Sequence, residues 1–154
     1  MSDLAHLAAT IFRRAAGRSR FVVGVAGPPA AGKTTSAQRL AELLEDAVAV
    51  AMDGFHYDNA VLDRLGAPET FDADGLVSLV GRLARGDRDV AVPGFDRAED
   101  LSRAAAHIVP RSARFIIVEG NYLLLDAEPW SALRPLLDMT VMIDVPKGEL
   151  AHRL

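Results

Sequence analysis

Apolar residues recur along this chain in two rhythms, and the switches between them mark its elements. Leu4, Leu7, Ala8, Ile11, Phe12 and Ala15 advance by three and four, which predicts an amphipathic helix over residues 3–16, stopped by Gly17. "RFVVGVAG" is then a continuous apolar run and predicts a buried strand. Helical spacing returns in "KTTSAQRLAELLE", from Lys33 to about Glu45, with Ala37, Leu40, Ala41 and Leu44 on one face. "AVAVAMD" (47–53), "RFIIVEG" (114–120) and "MTVMIDVP" (139–146) predict three more buried strands, the first ending at Asp53. "DADGLVSLVGRLARG" predicts a helix whose apolar face is Leu76, Leu79, Val80 and Leu83. "DVAVP" reads as a short strand, and "GFDRAEDLSRAAAHIVP" after it as a loop or ribbon. Residues 54–72 read as loop with one short helix near "AVLDRLG", and "KGELAHRL" opens a last helix.

Buried strands alternating with helices predict an α/β fold, a mostly parallel sheet covered on both faces. With 154 residues and no internal repeat or linker, the chain reads as a single domain over 1–154, residues 1–18 forming its N-terminal helix. A net charge of −4 and a pI near 5.5 argue against nucleic acid as a partner. The absence of cysteine excludes disulfides, thiolate metal sites and cysteine nucleophiles, and suits a cytoplasmic protein. "LAHLAATIF" is preceded by Asp3 and followed by "RRAAGRSR", the reverse of a signal peptide's charge order. No stretch approaches the roughly 20 apolar residues that span a bilayer, so no membrane partner is expected.

Lys33 and Lys147 are the only lysines among 17 basic residues, and Lys33 stands in "GPPAAGKTT". Gly27, Pro28, Ala30, Ala31, Gly32, Lys33 and Thr34 fall within the pattern G-x-x-x-x-G-K-[ST], with Thr35 following. A loop that wraps phosphate with backbone N–H groups needs small side chains and some positive φ angles, which Gly and Ala supply. The helix beginning at Lys33 directs its N-terminus at the same phosphates. Lys33 adds a flexible point charge for the β- and γ-phosphates, and the Thr34 hydroxyl is a ligand for Mg²⁺. A strand before the loop and a helix after it are the context this motif requires. The expected sandwich is therefore of the three-layer, nucleotide-binding P-loop type.

Ligands of parallel sheets bind beyond the carboxyl ends of the strands. Asp53 in "AVAMDGFH" and Glu119 in "FIIVEGN" stand there, each followed by glycine. Such acids serve two tasks, one holding Mg²⁺ and the other deprotonating an attacking hydroxyl. Asp144 in "VMIDVP" is equally placed for a helix start and is assigned no role. His56, three residues beyond Asp53, is a candidate for substrate contact. His6, His107 and His152 show no metal-ligand spacing.

Taken together, "GPPAAGKTT", "MDGFH", "FDADGLVSLVGRLARG" and "FIIVEGNYLLL" resemble the P-loop kinase family containing phosphoribulokinase, uridine kinase and bacterial pantothenate kinase. The resemblance spans about residues 20–154. It implies transfer of the γ-phosphoryl group of ATP, with Mg²⁺, to a hydroxyl of a small metabolite such as a nucleoside, a sugar or pantothenate. It implies Asp53 as the base for that hydroxyl, with Lys33 the catalytic phosphate-loop lysine. Glu119 and Thr34 are implied at the metal. His56, Tyr57, Phe95, Asp96, Arg97 and Arg103 are the substrate candidates, the last four in "VPGFDRAEDLSR", where Phe95 replaces the tyrosine of the uridine-kinase pattern. Family members continue beyond "VMIDVP" into a helix and an arginine-bearing lid. This chain ends at Leu154 inside that helix, so a core without its lid is expected. A homodimer is left open. A GTP switch is disfavoured because no N-K-x-D motif occurs; a non-catalytic or regulatory nucleotide-binding protein is the alternative.

Overall fold

The structure, a computed structural model, describes residues 3–28, 31–55, 68, 71–96 and 101–144, with the backbone alone at 94–96 and 101–106. Its elements in chain order are α1 (Asp3–Arg14), β1 (Phe21–Ala26), α2 (Lys33–Leu43), β2 (Ala47–Ala51), a 3-10 turn (Met52–Phe55) and α3 (Ala73–Arg85). Then follow β3 (Val90–Asp96), β4 (Leu101–Val109), β5 (Phe115–Gly120), a 3-10 helix (Trp130–Leu136) and β6 (Met139–Met142). The chain forms an α/β sandwich on a parallel sheet of order β2-β5-β1-β6, with β3 and β4 as a separate antiparallel ribbon.

Side-chain alternation along the strands builds two cores. Phe21, Val23, Val25, Phe115 and Ile117 face α1 and α2, packing on Ala8, Ile11, Ala15, Ala37 and Leu40. Val22, Ala26, Val50, Ile116 and Val118 face the other way, against α3, the ribbon and the 3-10 helix. The four apolar positions expected on α3, from Leu76 to Leu83, are all buried there. Asp72 caps that helix, its carboxylate accepting the Gly75 N–H at 3.0 Å, and Gly86 ends it. Among the described residues no helix is long and apolar enough to cross a membrane.

The structure corrects two expectations and adds an element that none covered. The strand expected over 47–53 ends at Ala51, and Asp53 lies in the 3-10 turn that follows. Of the strand expected over 139–146, the described residues form Met139–Met142, half exposed because among them β6 is an edge with one neighbour. Trp130–Leu136 is a 3-10 helix where the sequence suggested no element. Of the loop and ribbon readings of 94–110, the described residues form a ribbon, with a shift of register between Val92 and Gly94 at Pro93, a residue that has no N–H to donate. The helices expected near "AVLDRLG" and from "KGELAHRL" lie outside the described residues.

Candidate active site at the carboxyl edge of the sheet

Among the described residues, no side chain caps the first turn of α2. Gly32 stands at its N-cap with φ of 85°, a left-handed conformation that favours glycine. The first N–H groups of any helix lack partners inside it, so this end offers donors and a positive dipole to an anion. Gly27 is buried immediately after β1, Pro28 is half-buried, Ala31 is buried and Thr35 is exposed. Ala30 lies outside the described residues. Lys33 folds back over the loop, its ammonium donating to the Pro28 carbonyl at 2.8 Å.

Alternation then decides which strand residues meet that turn. Phe115 and Ile117 point to the α2 side, and Glu119 shares their parity. The Thr34 hydroxyl accordingly donates to Glu119 Oε2 at 2.5 Å, joining residues 85 positions apart in sequence. Glu119 is only 4% exposed. Burial lowers the Lys33 pKa below its ordinary value, while the nearby charges of Glu119 and then Asp53 pull it back up. Lysine, two carboxylates and a hydroxyl thus share one electrostatic site. Glu119 and Thr34 offer hard oxygen donors, and among the described residues no three His, Asp or Glu side chains gather into a larger ligand set. Such a sparse oxygen set fits Mg²⁺, which keeps several waters and takes one or two protein oxygens beside phosphate.

The other side of the site rests on the turn Met52–Phe55. Its last carbonyl, on Phe55, accepts the Asp72 N–H at 2.7 Å, which ties the turn to the cap of α3. The ribbon packs beside the turn. Of the substrate candidates, Phe95, Asp96 and Arg103 have their backbone on that ribbon; His56, Tyr57 and Arg97 lie outside the described residues. Sequence reading gave no role to Met52 or Asp72. A signal was present for the latter, since Asp three residues before Gly75 at a helix start is a cap pattern.

No family model matches this chain. It is 34% identical to a Schizosaccharomyces pombe protein provisionally named a uridine kinase, covering 88% of this chain and 67% of that one. It is 35% identical to a pantothenate kinase of Leifsonia xyli, over 86% of this chain and 45% of the relative. Among solved structures, a protein of Silicibacter sp. provisionally named a fructose transport system kinase superposes with a TM-score of 0.92. The two are 38% identical, and the match covers 100% of this chain and 80% of the other.

Proposed function

The chain belongs to the P-loop kinase family of phosphoribulokinase, uridine kinase and bacterial pantothenate kinase, and on that premise we propose that it phosphorylates a hydroxyl of a small metabolite at the expense of ATP. The observation that carries this reading is the Thr34–Glu119 hydrogen bond beside Lys33, on which the charges of both Glu119 and Asp53 act. Lys33 and the N-terminus of α2 bind and orient the nucleotide phosphates. Thr34 and Glu119 would hold Mg²⁺, which when bound offsets phosphate charge. Asp53 takes the proton of the acceptor hydroxyl as its oxygen bonds to phosphorus and the bond to the ADP oxygen breaks. Chemistry of this kind is mostly positioning and charge stabilisation, so few reactive side chains are needed. The β3–β4 ribbon beside the Asp53 turn supports an acceptor site there, with Phe95, Asp96 and Arg103 as its candidate contacts.

The test is ADP release from Mg-ATP with panels of nucleosides, sugars and pantothenate, for the wild type and Lys33→Ala. One acceptor class is expected to stimulate release, and Lys33→Ala to lower it by roughly a hundredfold or more while the fold survives. Nucleotide binding without acceptor-dependent ADP release from the wild type would select a non-catalytic binding protein instead.

A further inference from the structure

Gly120 follows Glu119 directly, and the space beside it is already filled. A Cβ built on Gly120 would stand 2.5 Å from Met52 Cβ, 2.7 Å from Met52 Sδ and 3.1 Å from Met52 Cγ. Carbon atoms in contact normally stand about 3.5–4.0 Å apart. Met52 itself is 1% exposed and belongs to the core on the α3 side. Up to Ala51, which lies opposite Glu119, β2 keeps parallel register with β5. At Met52 the backbone leaves the ladder for the 3-10 turn, and the next residue is Asp53.

We propose that Gly120 is a positioning residue for phosphoryl transfer: its missing side chain lets Met52 close against the end of β5, which sets the spacing between Asp53 and Glu119. This rests on the reading that Asp53 serves the acceptor and Glu119 the metal and nucleotide. The Met52 sulfur and Cγ can swing aside, but its Cβ is fixed to the backbone. An alanine at 120 therefore displaces the turn by about 1 Å, the shortfall from ordinary carbon contact. A misplacement of that size can cost on the order of a hundredfold in rate. Lys33 and Thr34 are carried by α2, so nucleotide binding is spared.

Gly120→Ala is expected to lower kcat by about ten- to a hundredfold, with the ATP KM and nucleotide Kd changed less than about threefold. Measured against the matched Met52 single variants, the deficit caused by Gly120→Ala should shrink to less than about threefold with Met52→Gly, which removes the obstructing Cβ, and persist with Met52→Ala, which keeps it. Unchanged kcat in Gly120→Ala, or equal deficits in the two double variants, overturns the proposal. So does a parallel loss of nucleotide affinity, which would make Gly120 a general structural residue. If Gly120→Ala cannot be purified, the same substitution is made in the Met52→Gly background, where a loss of kcat beyond about threefold overturns the proposal. Crystal structures of the wild type and Gly120→Ala provide a readout without turnover: Asp53 should move relative to Glu119, and an unmoved turn refutes the spacing. If the wild type releases no ADP with any acceptor, the phosphotransfer reading fails, while those crystal structures still decide the spacing.

Discussion

Replacing Glu119 with glutamine keeps the shape of a buried side chain and removes its charge. Glu119 is 4% exposed and accepts the Thr34 hydroxyl at 2.5 Å, so its hydrogen bond is charge-assisted. Bonds of that kind contribute about 1.5–3 kcal/mol, against about 0.5–1.5 for a neutral pair. For ligands the charge acts in two directions. A carboxylate repels bare phosphates and attracts Mg²⁺, so Glu119→Gln should bind ATP more tightly in EDTA and more weakly with Mg²⁺. Taking the charged-bond range as the scale, the loss with Mg²⁺ is about 1.5–3 kcal/mol, roughly ten- to a hundredfold in Kd. The substitution also withdraws the larger of the two charges that raise the Lys33 pKa against burial. The contribution of charged Lys33 to binding is present below its folded pKa and lost as pH rises through it. With Glu119 neutral that pKa falls further, so the alkaline limb of nucleotide affinity moves to lower pH. Calorimetric titration of wild type and variant, with Mg²⁺ and with EDTA across neutral to alkaline pH, measures both effects. Equal changes in the two arms would refute a metal-linked role for Glu119.

Asp53→Asn should leave nucleotide Kd within a few-fold and lower the acceptor-dependent rate by roughly two to four orders of magnitude, the scale of general acid–base catalysis; an unchanged rate in a steady-state ADP assay would place the base elsewhere. Asp138→Ala should destabilise the fold by about 1–3 kcal/mol in urea titration, because a buried strand N–H loses its partner. That carboxylate accepts the Val22 N–H at 2.8 Å and pairs with Arg18 at 2.9 Å, but the Arg18 side chain is 52% exposed and its pair adds little. An unchanged urea midpoint would show that water replaces the carboxylate at Val22.

The sequence made the nucleotide side legible because its determinants are local. Loop, lysine and helix start lie within one stretch, whereas the face of β5 that Glu119 shares with Phe115 and Ile117 is identified as the α2 face only by the packing of the fold. The strand boundaries were less legible. An apolar run reads the same in a central strand and at an edge, so "MTVMIDVP" looked as buried as "RFIIVEG" although β6 has one neighbour among the described strands. "AVAVAMD" hid its own end because Met52 is as apolar as the strand before it, while its backbone has left the ladder. Pro129 and Pro135 obscured the Trp130–Leu136 helix, where a 3-10 geometry accommodates what α-helical periodicity would reject. The fit of Met52 against Gly120 depends on two segments 68 positions apart meeting across strands, and no local pattern announces it.

The two halves of the site are held by different means, and they meet at consecutive residues. Lys33 and Thr34 depend on β1, α2 and β5, whose side chains form the core on the α1 and α2 face. The Asp53 turn belongs to the opposite face: Met52 is embedded in the core with α3, and Phe55 is tied by its carbonyl to the N–H of Asp72. A turn anchored at both ends leaves Asp53 little freedom, which is what proton transfer at a fixed distance requires. β5 is shared, since Glu119 serves the first half and Gly120 makes room for the second. Substitutions on the ribbon are therefore expected to alter the proposed acceptor side and leave the nucleotide side intact. At the last two residues of β5 the two halves adjoin: a change at Glu119 acts through charge on the metal and nucleotide side, one at Gly120 through distance on the Asp53 side, and both bear on the gap across which a phosphoryl group would pass.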